Sequence, residues 1–524
     1  MTRRFRWTLG AILAAAACRA PGTRTPTPAA AATGTRATRL RVIATNDFHG
    51  ALEARPDDAG VMHGGAAALA TMIAKARREC VAPGCESILL DGGDMFQGTP
   101  ASNFAFGRPV IDVYDALDYS ASALGNHEFD WGLDTLRAIM RAAHYRILGA
   151  NVRYTDGRDV EWIPDDTLVV RGGVRVGVIG IATTETPQVT RPATIPGLRF
   201  DDPAPIVDSL ARRLRARGAD AVIVVAHAGA FCRRAASPPC SGEIITLANR
   251  LTAKVDAIVS GHTHTLVDTQ VNGIPVVQAR SSGTALDVVD VPVGAGTGPP
   301  VRQIREVLTQ AVAPDARIAA IVSNAVGAVA ARTGRVEATL TSSLTERQAG
   351  DLIADATRFA AHADLAFMND GGVRAPLHAG RVTYGDLLEV QPFGNLIYRE
   401  TVRGRDLRAY LERRVRGRTP DATMSGATVT YDPTRPPGAR VLDVRFTDGS
   451  SLVDDRLYTV ALNDFMVTNE SYGFGTAAVG WESINAVDID CLIAYLRSLP
   501  QPVPPPAGPR FVARPGPARS QGGR

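Results

Sequence analysis

Lysine is almost missing from this chain: Lys75 and Lys254 are the only two among 57 basic residues. The remaining positive charge is arginine, and 53 acids bring the formal net charge to +4. No dense basic run interleaved with aromatics occurs, so a nucleic-acid polymer is not the expected partner. Cysteine is scarce, six in 524 residues, and no C-x-x-C is matched by a second such pair, which argues against a structural zinc site. Glycine and proline follow no collagen-like period, and no internal repeat recurs at a fixed spacing. What is present is ordinary globular composition, 45% hydrophobic and 21% charged, which excludes wholesale disorder. The length predicts two large domains.

The first residues read as an export signal. Arg3, Arg4 and Arg6 precede an apolar run from Trp7 to Ala17, too short to span a bilayer. Ala15-Ala16-Ala17-Cys18 resembles a bacterial lipobox, with Ala15 where leucine is usual. That resemblance implies a signal over 1–18 and a lipid anchor at Cys18, with plain cleavage and secretion as the alternative. Residues 19–38, rich in Pro, Thr, Ala and Gly, read as a flexible tether. Cys80 and Cys85 bracket V-A-P-G, and Cys232 and Cys240 bracket R-R-A-A-S-P-P. Two short loops of this kind predict two local disulfides and an oxidising compartment, the periplasm or cell surface. Cys491, in a helix-like apolar stretch, is expected to be a buried free thiol.

Between residues 39 and 310 short apolar runs alternate with helix-like segments, the pattern of an α/β fold. Examples are L-R-V-I-A, V-R-V-G-V-I-G-I and A-V-I-V-V-A. Residues 311–338 read as a connecting helix and hinge, and 339–498 as a second α/β domain. The Pro-, Gly- and Arg-rich stretch 499–524 is expected to lack structure.

Five compact polar motifs each follow a strand-like run. They hold Asp47 and His49, Asp94, Asn126 with His127, His227, and His262 with His264. Strands of an α/β sheet end at one edge, so the motifs can converge there. Imidazole, carboxylate and amide donors suit Zn, Mn and similar ions. In an extended segment D-x-H and H-x-H each put both side chains on one face. Asp47, His49, Asp94, Asn126, His227, His262 and His264 are too many ligands for one tetrahedral ion and suit two divalent ions. His127 adjoins a ligand, and Asp130 stands three residues on, where it can orient the imidazole and raise its pKa.

In this order D-x-H, G-D, G-N-H-E, H and G-H-x-H resemble the calcineurin-like metallophosphatase superfamily. N-D-F-H-G, G-G-D-M-F-Q-G-T and G-N-H-E-F-D-W-G, with M-N-D-G-G-V-R (368–374), Y-G-D-L-L-E-V-Q-P-F-G-N (384–395) and N-D-F (463–465), resemble the exported 5′-nucleotidase family. The resemblance covers about residues 40–498. It implies a layered α/β metallophosphatase sandwich followed by an α/β substrate-binding domain. It assigns one ion to Asp47, His49, Asp94 and His264, and the other to Asp94, Asn126, His227 and His262, with Asp94 shared. It makes His127 and Asp130 a catalytic dyad. Asn369, Arg374, Phe393, Asn395 and Phe465 become the substrate-binding set, the two phenylalanines sandwiching a nucleobase.

The chain departs from that family in three places. Relatives often carry Gln or Asn where His264 stands. Met466 to Phe474, M-V-T-N-E-S-Y-G-F, replaces a Gly-Gly-Asp-Gly stretch whose Asp holds ribose, leaving Glu470 or Tyr472 near that position. Phosphate-binding arginines before the A-G-D-L-I helix are reduced to Arg347. The expected activity is hydrolysis of 5′-nucleotides, with 2′,3′-cyclic nucleotides and nucleotide sugars as further candidates. A metallophosphoesterase for a non-nucleotide substrate is the alternative within the enzyme class. Thiosulfohydrolases share the architecture but are not singled out by these residues. An inactive ligand-binding lipoprotein is disfavoured by the intact ligand set.

Overall fold

The structure, a computed structural model, describes residues 37–514 other than 58–59, 83, 235–236, 418 and 470. The signal segment, Cys18, nearly all of the expected tether and Glu470 lie outside the described residues.

Two six-stranded sheets stack in the first domain. One runs Val301–Glu306, Ala285–Pro292, Arg39–Thr45, Cys85–Asp91, Ala121–Ala123, Arg146–Leu148, with its last four strands parallel. The other runs Leu266–Val271, Ile274–Ala279, Ala257–Ser260, Ala221–Ala226, Val174–Ile181, Asp166–Arg171, parallel through its central four. Runs such as Ala221–Ala226 are apolar at every position because parallel strands covered on both sides have no wet face. Leu40, Val42 and Leu90 from one sheet meet Val176, Ile223 and Val225 from the other in a shared core. The helices Ala66–Arg78 and Arg108–Ala116 cover the first sheet's outer face. Pro203–Ala216 and Glu243–Arg250 cover the second's.

The connecting helix spans Ala316–Thr333 and is capped by Asp315, whose carboxylate accepts from the N–H groups of Arg317 and Ile318. Its apolar stripe, including Ile318, Val322, Val326 and Val329, packs on the first domain's core. The chain leaves it at Gly334 and enters the strand Val336–Leu340.

The second domain is built on a five-stranded sheet in the order Ala422–Ser425, Leu365–Asn369, Leu457–Asn463, Leu396–Arg403, Ala478–Val487. Helices Glu346–Ala361 and Asp488–Ser498 pack in one apolar cluster with Met368. Gly404–Arg414 packs in another with Phe367 and Leu462.

The composition of 499–524 predicts a stretch without structure, but its described part, 499–514, is built into the domain. Val503 bridges to Leu340, and the strand Phe511–Ala513 pairs in parallel with Ala427–Tyr431. Composition rich in proline bars a helix, yet single apolar residues still anchor such a chain: Val503 is 2% exposed.

Disulfides join Cys80 to Cys85 and Cys232 to Cys240, and Cys491 is free and buried. Among the described residues no helix is long and apolar enough to cross a membrane.

Candidate active site

Each of the five motifs begins where a central parallel strand ends, so five loops from two stacked sheets meet at one rim. Their backbone is not the extended one the D-x-H and H-x-H spacing predicts. Asp47 and His49 have φ of 49° and 51°, Asp94 57°, and His262 and His264 80° and 54°. All five are left-handed. Non-glycine residues held there cost of order 1–3 kcal/mol each and cluster at functional sites. The conformation brings local hydrogen bonds with it: the His262 N–H donates to both Asp47 oxygens at 3.0 Å, and Asn46 Nδ2 donates to Asp47 Oδ2 at 2.7 Å. Gly125 is required beside them, since a Cβ there would lie 2.0 Å from Asp94 Oδ1.

The side chains form two donor triads, Asp47–His49–His264 and Asp47–Asp94–His227, each with ligand atoms within 4.8 Å of one another. His49 Nε2 lies 3.0 Å from His264 Nε2, and His264 Nε2 lies 3.3 Å from Asp47 Oδ1. His227 Nε2 lies 3.0 Å from Asp94 Oδ2 and 3.2 Å from Asn126 Oδ1. The other ring nitrogens are occupied: His49 Nδ1 faces the Gln97 carbonyl and His227 Nδ1 the Gly92 carbonyl, both at 2.9 Å. Backbone carbonyls accept from Nδ1–H, so in the neutral ring each Nε2 would offer its lone pair to a bound cation. Asp47 is common to both triads. Asp94, which the resemblance makes the shared ligand, also reaches both histidines, with His49 Nε2 3.8 Å from its Oδ2. His262 stands apart from both triads, its Nε2 3.3 Å from Glu185 Oε2.

The electrostatics match a cation. Asp47 and Asp94 are buried, and burial alone would push both carboxyls up. The surrounding imidazoles win, holding Asp47 down to about 2 and Asp94 well below the usual range. The same field acts on His227: burial opposes its charge, but Asp94 and Asp47 raise it to about 10. A largely buried site that demands positive charge, with convergent imidazole and carboxylate donors, fits divalent metal ions.

His127 Nδ1 lies 2.7 Å from Asp130 Oδ2. Burial lowers the imidazole pKa, and the charges of Asp130 and Asp94 more than reverse it, so the net direction is up. The ring stacks on Phe393 of the second domain, centroids 5.6 Å apart. Arg374 reaches across the same boundary, its Nη2 3.2 Å from His49 Nε2. Phe393, Phe465, Asn369, Asn395 and Arg374 line one cavity of about 520 Å³ with Asp94, Asn126, His127 and His264. Asn463 Nδ2 donates to Asn369 Oδ1 at 3.2 Å, which orients that amide. Tyr472 lines this cavity too, its ring 5.6 Å from Phe465. Arg347 turns away to the carbonyls of Pro420 and Ala422.

Sequence reasoning passed over two acids. Glu128 accepts from the N–H groups of Asp94, Met95 and Gly125 at 2.9, 2.8 and 2.7 Å, tying two ligand loops together. It stood in plain view in G-N-H-E, but nothing in one sequence says which N–H groups it meets. Glu185 lies in a loop with no motif of its own.

A two-sheet sandwich with this donor cluster at its rim is a metallophosphoesterase scaffold. Residues 40–266 match the family described as calcineurin-like phosphoesterase, and residues 325–478 match the 5′-nucleotidase C-terminal domain. A 5′-nucleotidase of Vibrio cholerae is 28% identical over 71% of this chain and 75% of its own length. The endonuclease YhcR of Bacillus subtilis is 28% identical over 88% of this chain, which spans 40% of that protein. The solved 5′-nucleotidase precursor from Thermus thermophilus superposes with a TM-score of 0.79 at 26% identity, covering 91% of this chain and all of that one. The chain is a phosphate-ester hydrolase. It belongs to the 5′-nucleotidase family of calcineurin-like phosphoesterases.

Proposed function

We propose that this protein is an exported, metal-dependent 5′-nucleotidase that releases phosphate from nucleoside 5′-monophosphates. The observation that carries the reading is one cavity lined by Asp94 and His264, one member of each donor triad, together with the His127–Asp130 pair and the Phe393/Phe465 aromatics. Two divalent ions would be held by Asp47, His49, Asp94, Asn126, His227, His262 and His264. Bound there, they supply Lewis-acid activation of water and neutralise phosphoryl charge. Phe393 and Phe465 would stack the base, with Asn369 and Asn395 at its edge, and Arg374 would bind phosphoryl oxygens by its planar fork. His127, held by Asp130, would give its Nε2 proton to the leaving 5′-oxygen or stabilise its charge. The nucleoside thereby stays in the second domain while its ester bond lies over the first.

Export is supported by the charged start and apolar run of residues 3–17 and by two disulfides in short loops. Lipidation at Cys18 and the hinge at 311–338 belong to the same proposal, as do activities on 2′,3′-cyclic nucleotides and nucleotide sugars. A non-nucleotide phosphate ester is the second reading. Tyr472 favours it, because the cavity wall beside Phe465 carries a phenol where the family resemblance implies a ribose-binding carboxylate.

The experiment is metal analysis of the purified protein together with phosphate release from AMP and from a small aryl phosphate. Two metal equivalents, turnover of AMP and loss of both on Asp94→Asn are the expected results. Turnover of the aryl phosphate alone would move the reading to a non-nucleotide substrate.

A further inference from the structure

Gln97 carries a role that the ligand set and the base pocket leave unassigned. It is 1% exposed, yet neither its Oε1 nor its Nε2 has a hydrogen-bond partner. A buried carboxamide without partners is costly, and in a folded protein it calls for an explanation such as a ligand or an ordered water. The surroundings supply one: Gln97 lines the same cavity as Asp94, Asn126 and His127. Its backbone is locked by the site itself. Its carbonyl faces His49 Nδ1 at 2.9 Å, and the next residue, Gly98, donates its N–H to Asn103 Oδ1 at 2.9 Å. A Cβ on Gly98 would lie 2.3 Å from the His49 carbonyl, so this loop sits tight against the ligand loop of Asp47 and His49. These contacts fix where the Gln97 side chain starts, and the side chain itself is almost wholly enclosed.

We propose that the Gln97 carboxamide is a substrate-binding group for the phosphoryl end of the ester. Its Nε2 donates to a non-bridging phosphoryl oxygen, and its Oε1 accepts from the water or hydroxyl that accompanies it. The amide suits this position because it offers a donor and an acceptor without adding charge to a site already crowded with carboxylates. A glutamate in its place would repel the phosphate, and an apolar side chain would leave phosphoryl oxygens unpaired. The inference rests on the phosphoesterase reading above, but it concerns the phosphate and not the nucleoside.

The test is Gln97→Met and Gln97→Glu, each of which keeps the backbone carbonyl that orients His49. Metal content, steady-state hydrolysis of p-nitrophenyl phosphate and competitive inhibition by inorganic phosphate are measured for both variants. Metal content near that of the wild type is expected. KM for the aryl phosphate and Ki for inorganic phosphate should rise together by about 10- to 100-fold, the usual loss when a hydrogen bond to a charged group is removed. The rise should be larger for the glutamate variant, and kcat should change by less than about threefold, since a contact made equally in ground and transition states acts on binding. If KM and Ki stay within twofold of wild type in both variants, the proposal fails. It also fails if metal content falls with activity, because Gln97 would then be supporting the ligands. Should one variant fail to fold, the other decides the outcome. Direct titration with inorganic phosphate keeps the test independent of which ester the enzyme prefers.

Discussion

The Nδ1 of His127 lies 2.7 Å from Oδ2 of Asp130, three residues along a single turn of 3-10 helix and its cap. The pair is preformed by local geometry, and the His127 N–H also donates to Asp94 Oδ1 at 2.9 Å. The imidazole is therefore anchored beside the donor cluster without being one of its members. His127→Ala should leave metal content near normal and lower kcat by roughly 10²–10⁴-fold, the usual contribution of a positioned acid–base group. Metal analysis beside single-turnover rates checks this, and loss of metal from the variant would assign His127 to the cluster instead.

The aromatic walls yield a prediction about substrate size. Stacking is worth about 1–3 kcal/mol per base. Phe393→Ala combined with Phe465→Ala should raise KM for AMP by one to two orders of magnitude, while an aryl phosphate, which needs only the phosphoryl end, should suffer far less. Equal losses on the two substrates would refute a nucleobase clamp. Phe393 also stacks on His127, so Phe465→Ala alone serves as the control that leaves the imidazole's neighbour in place.

Asp287 gives a prediction about stability and pH. It sits in the strand Ala285–Pro292 opposite Ala44, fully buried, with neither carboxylate oxygen hydrogen-bonded. Burial, and then the charge of Asp268, push its carboxyl well above the usual range. The folded state thus keeps a proton that the unfolded chain releases near pH 4. Its contribution is fully favourable below about pH 4 and is lost as pH rises through the raised folded value. Asp287→Asn does not titrate, so its melting temperature should exceed that of the wild type at pH 8, by about 1–2 °C for each kcal/mol recovered in a chain of this size. The gap should narrow on acidification to pH 5. Parallel melting curves at the two pH values would show that Asp287 does not carry this penalty.

Cys18→Ser tests the lipobox. With a lipid anchor at Cys18 the wild-type protein fractionates with membranes and the variant becomes soluble. An unchanged distribution, with the mature N-terminus elsewhere, would mean ordinary secretion.

Much of the site was legible because each polar motif follows an apolar strand, and parallel strands end at a common edge. That argument locates Asp47, Asp94, Asn126, His227 and His264 together without any knowledge of loop shape. It errs on how the loops run. The D-x-H spacing suggests an extended segment, but the tight approach of Gly98 to His49 and the N–H bonds that Asp47 accepts from His262 require left-handed backbone. Gln97 and Glu128 lay inside quoted motifs and went unread, since what a buried amide or carboxylate meets is decided by segments tens of residues away. For the described residues 499–514, composition alone gives the wrong expectation. A few apolar anchors outweigh proline when a finished sheet offers an open edge.

The left-handed ligands leave the rim loops little freedom of their own. Asp47, His49, Asp94, His262 and His264 each hold a conformation that glycine would adopt with less strain. Glycine at any of them would relieve that strain, but it would also delete a side chain whose contacts hold the rim together, such as Asp47 with the His262 N–H and Asp94 with His227. Strain and its compensation thus reside in the same residues, and neither can be removed without the other.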